Sequence, residues 1–433
     1  MSDHGYDPFD PAVIEDPYPW YRRLLGGCPV HHHVLPPSQV EKIEGNPLVA
    51  RPTTDFYTLV RHQHVSAAAH DHLGYPSGQG PGPERTEMPE GVGVLVYADE
   101  PEHRAQRRIV NKSLTPRAVR AIEPRISEVA GELIDRFVAG GRVDLVPAFC
   151  EALPVRVFYD ILGVPVDRHA DFRRWVDDTI AAFGGNPESY QKSMVALAEL
   201  TEYFTGEISA RRAAMAAGEP VRDDLLTALI VNDADGWSFS DLQIVFAVHT
   251  FLVGGQDTTS SALANAVHLL CTHPDERAKL NRRPELLTRA IEEVLRFESP
   301  IQGMFRTTAG PAEVAGVPIP ADAKVRLMYA AANRDPSVWG DPDTFRVDRD
   351  EVQLRRHLGF GAGIHSCVGA ALARAELRIG LGTLLDRLPG LELDNSSDSE
   401  RGSAAFFVRS WRHLYVRWDA TATSGPARTR GVS

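Results

Sequence analysis

The residues of this chain that could do chemistry lie in three short stretches. FGAGIHSCVG, residues 360–369, sets Cys367 among Gly361, Gly363 and Gly369, with His365 two positions before it. A helix-forming run, VGAALARAELRIGLGTLL, starts beside that thiol, so the positive end and free N–H groups of a helix would favour its thiolate, the form that binds metals. GGQDTT, residues 254–259, puts a carboxylate (Asp257) beside a hydroxyl (Thr258), a pair able to pass protons. The same stretch also suits a satisfied polar cluster at a helix kink. Glu293 and Arg296 stand three apart, and alone they describe only an ion pair on one helix face.

Elements must position these groups. SFSDLQIVFAVHTFLVGGQDTTSSALANAVHLLCTHP opens with a capping-box pair, Ser240 and Gln243, and closes at His273-Pro274. At about 1.5 Å per residue this predicts a helix of roughly 45–50 Å. Its middle, Ile244 to Val253, is apolar apart from His249 and Thr250 and should run through the interior. Gly254 and Gly255 each cost about 1 kcal/mol relative to alanine there, so close approach of another group is expected beside them. Apolar spacings of three and four recur at Ile122, Ile126, Val129, Leu133 and Phe137, and again in SMVALAELTEYFTGEISARRAAM and PELLTRAIEEVLRFE. VARPTTDFYTLV, AEVAGVPIPADAKVRLMYA and FFVRSWRHLYVRW read as short strands. The fold class is therefore mainly α with a small β portion, a single unit over residues 1–420, with 421–433 as a disordered tail. The Pro/Gly-rich run 74–93 reads as a long loop, and such loops are often functional.

Composition narrows the function. Of 433 residues, 43% are hydrophobic and 24% charged, as in a soluble globular protein, and a net charge of -12 disfavours general binding to nucleic acid or an anionic membrane. No run approaches eighteen uninterrupted apolar residues and the N-terminus lacks the features of a signal peptide, so no membrane span and a cytoplasmic location are expected. Cys28, Cys150 and Cys271 form no CxxC pair and read as small buried hydrophobes.

Phe360-x-x-Gly363-x-His365-x-Cys367-x-Gly369 resembles the haem-binding signature of the cytochromes P450, GGQDTT resembles their oxygen-activating helix segment, and Glu293-Val294-Leu295-Arg296 matches their ExxR element, in the same order along the chain. The resemblance implies a cytochrome P450 fold whose long central helix crosses the haem. It implies heme b with Cys367 as axial ligand, donating electron density that favours O–O cleavage. Phe360, Gly361, Gly363 and Gly369 would lie close beneath the macrocycle, and Gly254 would leave room above it. His103, Arg107, Arg306 and His365 would hold the propionates. Glu293 and Arg296 would form a buried network with the segment after ANRDP. Many members have arginine immediately before the phenylalanine of that segment; here Thr344 stands there, so either Arg346 substitutes or the pair finds a different partner.

The implied activity is a haem-thiolate monooxygenase inserting one atom of O2 into a hydrophobic small organic substrate. Asp257 would relay protons and Thr258 would hydrogen-bond the reacting oxygen or its water. Leu95, Thr250, Val253, Gln302, Met304, Phe406 and Phe407 are the expected pocket residues, with Thr250 and Gln302 as polar handles. Electrons would come from a separate ferredoxin-type donor and its reductase, steered by Arg104, Arg108, Arg355, Arg356 and Arg374. The competing readings are a peroxide-driven or non-oxygenating enzyme of the same fold, and a non-catalytic haem sensor.

Overall fold

A computed structural model describes residues 6–8, 10–37, 40–41, 49–51, 53–86, 88, 91–181, 187–234, 236–405 and 408–423. It is mostly helical. The helices that matter for the site are α1 (His62–His70), α2 (Glu102–Ser113), α3 (Pro116–Asp135), α4 (Ala152–Leu162), α5 (His169–Ala181), α6 (Pro187–Ala216), α7 (Asp241–Thr272), α8 (Leu287–Phe297) and α9 (Ala370–Arg387). The largest sheet holds β1 (Val30–Val34), β2 (Asp55–Leu59), β3 (Met304–Thr307) and β4 (Lys324–Leu327) in the order β1-β2-β4-β3. β2 and β4 run parallel, with Tyr57 opposite Val325; β3 and β4 run antiparallel, with Arg306 opposite Val325. The expected strands near the N-terminal end thus meet those around residue 320, whereas the C-terminal strands expected to join them pair in separate small sheets, Val408–His413 with Glu400–Ala405 and Tyr415–Arg417 with Glu392–Leu393 and Arg142–Asp144.

α7 is the axis of the molecule. Its capping box is formed: the Gln243 N–H donates to Ser240 Oγ at 3.2 Å and the Ser240 N–H donates to Gln243 Oε1 at 2.9 Å. Two separate apolar cores use its two halves. Ile244, Val245, Val248, Phe251 and Leu252 pack with Phe172, Trp175, Phe204 and Leu229 in one core. Ala262, Leu263, Val267 and Leu270 pack with Ile126, Val129, Phe149 and Leu381 in the other. Residues 253–261 belong to neither, so the polar stretch falls where the helix passes between cores. The helix continues unbroken through Gly254 and Gly255.

α3 follows its sequence pattern. Thr115 caps it, accepting the Ala118 N–H at 3.1 Å, Pro116 opens it, and Ile126, Val129 and Leu133 are buried. The run after Gly74 is less free than its composition suggested. The N–H groups of Phe305, Thr307 and Ala309 donate to the carbonyls of Pro81, Pro76 and Gly74 at 2.9, 3.1 and 3.0 Å, which lays this segment along β3. The buried Lys324 ammonium adds bonds to the carbonyls of Gln79 and Gly80 at 2.9 and 3.0 Å. Cys28, Cys150 and Cys271 are free thiols; Cys150 is buried and the other two are half-buried. Among the described residues no helix is long and apolar enough to cross a membrane.

Candidate active site

The cysteine loop is built on protein contacts. The Cys367 N–H donates to the Phe360 carbonyl at 2.9 Å, and Gly363–His365 form a 3-10 turn between them. Gly361 and Gly363 have φ of 68° and 70°. A Cβ on Gly363 would lie 2.0 Å from the carbonyl oxygen of Ala69 at the end of α1. That glycine is therefore required by the close seating of the loop on α1, a cause the sequence reading had placed in the macrocycle instead. Cys367 is exposed, although protein groups crowd around its thiol. Burial pushes its thiol up from the ordinary value, against the opposing pull of the Gly369 N–H, the Arg107 and Arg374 guanidiniums and the Ala370 N–H. The helix end alone does not make a thiolate here; a metal cation bonded to sulfur would.

The four expected propionate partners come from three segments. His103 and His365 meet ring to ring, with centroids 4.1 Å apart. Nδ1 of His103 and Nε2 of His365 are buried without a hydrogen-bond partner. Arg107 reaches the cysteine loop, donating to Ser366 Oγ at 3.5 Å. Arg306 is 3% exposed and donates to the carbonyl of its neighbour Phe305 at 2.8 Å. Burial drives the His365 imidazole far below its usual range, reinforced by Arg306, His103, Arg107 and His72. Buried donors crowded together with cations call for anions. A flat dianionic group with a metal facing Cys367 matches this donor set, and haem is such a group.

On α7 a Cβ added at Gly254 or Gly255 would meet nothing within 4 Å, and Gly254 is exposed although it lies midway along a central helix. Among the described residues the glycine pair thus borders open space. The Thr258 hydroxyl donates to the Gly254 carbonyl at 2.9 Å. Asp257 is pushed up to about 6, mainly by burial and then by the charges of Glu151 and Asp177. Those two acids, linked by Arg173 at 3.2 and 3.7 Å, carry no signal in the sequence that ties them to Asp257.

The Glu293–Arg296 pair is fully buried, with Nε and Nη2 donating to the two carboxylate oxygens at 2.7 and 2.8 Å. Arg296 also donates to the carbonyls of Asn333, Pro342 and Thr344. The third member is Arg349, whose Nε donates to Glu293 Oε2 at 2.9 Å. Arg346 does not substitute: its side chain is about half exposed and lies 3.5 Å from Asp348, and only its backbone N–H reaches Glu293. Asn333 links the network to the cysteine loop, accepting the Leu358 N–H at 2.7 Å. The network braces the loop and presents no reacting group.

The expected pocket residues divide. Leu95 is buried, and Val253 and Met304 are half-buried on α7 and β3. Thr250 donates to the Phe246 carbonyl at 2.8 Å. Gln302 is withdrawn as a polar handle. Its Oε1 accepts the Tyr21 hydroxyl at 2.7 Å, its Nε2 donates to the Ser299 carbonyl at 2.6 Å, and it is 4% exposed. Phe406 and Phe407 lie outside the described residues. The arginines expected to form a cationic patch are largely paired: Arg104 with Glu100 at 2.8 Å, Arg355 with Glu351 at 2.7 Å, and Arg374 bidentately with Glu292.

Comparison with known proteins agrees with this geometry. The model of the family described as Cytochrome P450 matches residues 166–402. Cytochrome P450 130 of Mycobacterium tuberculosis is 35% identical over 403 residues, covering 92% of this chain and 94% of that protein. The 6-deoxyerythronolide B hydroxylase of Saccharopolyspora erythraea is 35% identical over 323 residues, 74% and 77% of the two chains. The solved structure of CYP109E1 from Bacillus megaterium in complex with testosterone superposes with a TM-score of 0.80 at 28% identity, covering 94% of this chain and 99% of that one. An accessible thiol, buried ring nitrogens without partners gathered beside it and relatives matched over nearly the whole length lead to one conclusion: the chain belongs to the cytochrome P450 family and is a monooxygenase of that family.

Proposed function

We propose that the chain inserts one atom of O2 into a hydrophobic small organic substrate, using heme b held by Cys367 and electrons from a separate ferredoxin and its reductase. The observation that carries this reading is the gap between the two cores on α7, where an acid and an alcohol adjoin a helix face left open at Gly254. Heme b, when bound, supplies the reduction and cleavage of O2. The balance is two electrons and two protons per O2, one oxygen atom going to the substrate and the other leaving as water.

Asp257 suits proton transfer because, at about 6, both of its protonation states are accessible near neutral pH. The Thr258 hydroxyl, bonded to the carbonyl of Gly254, is a donor at the open face. His103, Arg107, Arg306 and His365 bind and orient the propionates. Leu95, Thr250, Val253 and Met304 form an apolar wall with one hydroxyl. Two relatives act on or bind large, mainly apolar molecules by their names, 6-deoxyerythronolide B in one case and the steroid testosterone in the other, which supports a substrate of that kind here. The experiment is turnover with NADH and a surrogate ferredoxin and reductase, against a library preselected by the Soret shift. Oxygen consumption with a product carrying one added oxygen is expected. Product formation with peroxide alone, and none with O2 and reductant, would overturn the reading.

A further inference from the structure

Gln106 has no role in the reading above, although it lies between His103 and Arg107 on α2. It is fully buried. Its Oε1 accepts the backbone N–H of Leu95 at 2.6 Å, and its Nε2 donates to the carbonyl of Gly93 at 2.9 Å. One amide thus bridges both sides of Val94. Leu95 needs that support, because its φ is 48°, in the left-handed region that a branched side chain rarely occupies. The turn has little slack. The Tyr97 N–H returns to the Val94 carbonyl at 3.0 Å and the Ala98 N–H to the Leu95 carbonyl at 3.1 Å. A Cβ on Gly93 would come within 2.8 Å of the Tyr97 carbonyl oxygen. Leu95 itself is buried in the core formed by the first half of α7, with Val248, Phe251 and Leu252.

We propose that Gln106 is a positioning residue for substrate selection: its side-chain amide clamps the 93–95 turn so that Leu95 is held as a fixed part of the pocket wall. This rests on the reading that Leu95 lines the substrate pocket and that Cys367 holds haem. The clamp is carried by the helix that bears His103 and Arg107, so seating the cofactor and shaping the pocket wall are mechanically one event. Glutamine suits the task because one planar group must accept from an N–H and donate to a C=O. Leucine fills a similar volume and can do neither. Glutamic acid can do both only while protonated.

The test uses purified holoenzyme and two azole probes, imidazole and 4-phenylimidazole, whose dissociation constants are read from the Soret shift. In Q106L the bulky probe should weaken relative to the small one by about tenfold, equivalent to about 1.4 kcal/mol, with the reduced CO band retained. In Q106E the ratio of the two constants, normalised to wild type at each pH, should match wild type at low pH and move toward the Q106L value as the buried carboxyl ionises. A role in stability alone would leave that ratio constant with pH. The proposal is overturned if Q106L changes both probes equally or neither, or if the Q106E ratio does not depend on pH. Should Q106L fail to retain haem, the Q106E titration decides. Failure of the site reading itself would show separately, as a wild-type protein with no azole shift and no CO band.

Discussion

Replacing Arg349 with alanine tests the reassigned network most sharply. Its guanidinium is 3% exposed and makes four hydrogen bonds: to Glu293 Oε2 at 2.9 Å and to the carbonyls of Gly340, Asp341 and Thr344 at 2.7, 3.2 and 2.7 Å. Removing one partner of a buried charged pair costs about 3–5 kcal/mol. Glu293 keeps both bonds to Arg296, which favours the lower half of that range, while the freed carbonyls favour the upper. A loss of about 3–5 kcal/mol is therefore expected in urea unfolding, together with reduced haem retention, since Asn333 ties the network to the loop of Cys367. Arg346→Ala serves as the control. That side chain is about half exposed and 3.5 Å from Asp348, so its removal should cost about 0–1 kcal/mol. The reasoning fails if Arg349→Ala costs less than about 1 kcal/mol, or if Arg346→Ala destabilises as much.

Other consequences can be measured on the same protein. Glu376 on α9 is 3% exposed, and burial alone pushes it up to about 8. The folded state then holds a proton that the unfolded state releases above its ordinary carboxyl range, so stability falls as pH rises from about 4.5 to about 8. Glu376→Gln should flatten that slope and stabilise the protein at pH 8; an unchanged slope would show that Glu376 does not carry it. Asp257→Asn should slow turnover and remove the dependence on a group near 6, while Thr258→Ala should divert electrons to peroxide, seen as NADH consumed per product formed. Coupling unchanged in Thr258→Ala would remove that hydroxyl from the reaction. Raising the salt should slow reduction by an acidic ferredoxin only modestly, because Arg104, Arg355 and Arg374 are already ion-paired; a steep dependence would mean that these pairs open on docking.

Much of this was legible in the chain because it is local. The Ser240–Gln243 cap, the long apolar helix and the turn-and-helix grammar around Cys367 are all encoded within a few residues of one another. What escaped depends on distance in sequence. The segment after ANRDP has no periodicity, so nothing but the fold could distinguish Arg349 from Arg346 as the partner of Glu293. Gln302 looked like a pocket handle until Tyr21, 281 positions away, was found to hold its amide oxygen. Gly363 was correctly marked as a close approach, yet the approaching group is the carbonyl of Ala69, from another helix. Arg374 looked free because Glu292 lies 82 positions away, whereas the Arg104–Glu100 pair, four apart, could be read directly. Gln106 was hidden by its neighbours His103 and Arg107, and it gains meaning only from the backbone angle of Leu95.

The central claim is that Cys367 holds the haem iron through its sulfur, and the carbon monoxide difference spectrum of the reduced protein tests it most directly. Wild type should absorb at the wavelength that gives the family its name, and Cys367→Ala should lose that band while the folded helix content, read by circular dichroism, stays near that of wild type. A Cys367→Ala protein that kept the band would contradict the assignment, and so would a wild-type protein that binds haem without ever showing it.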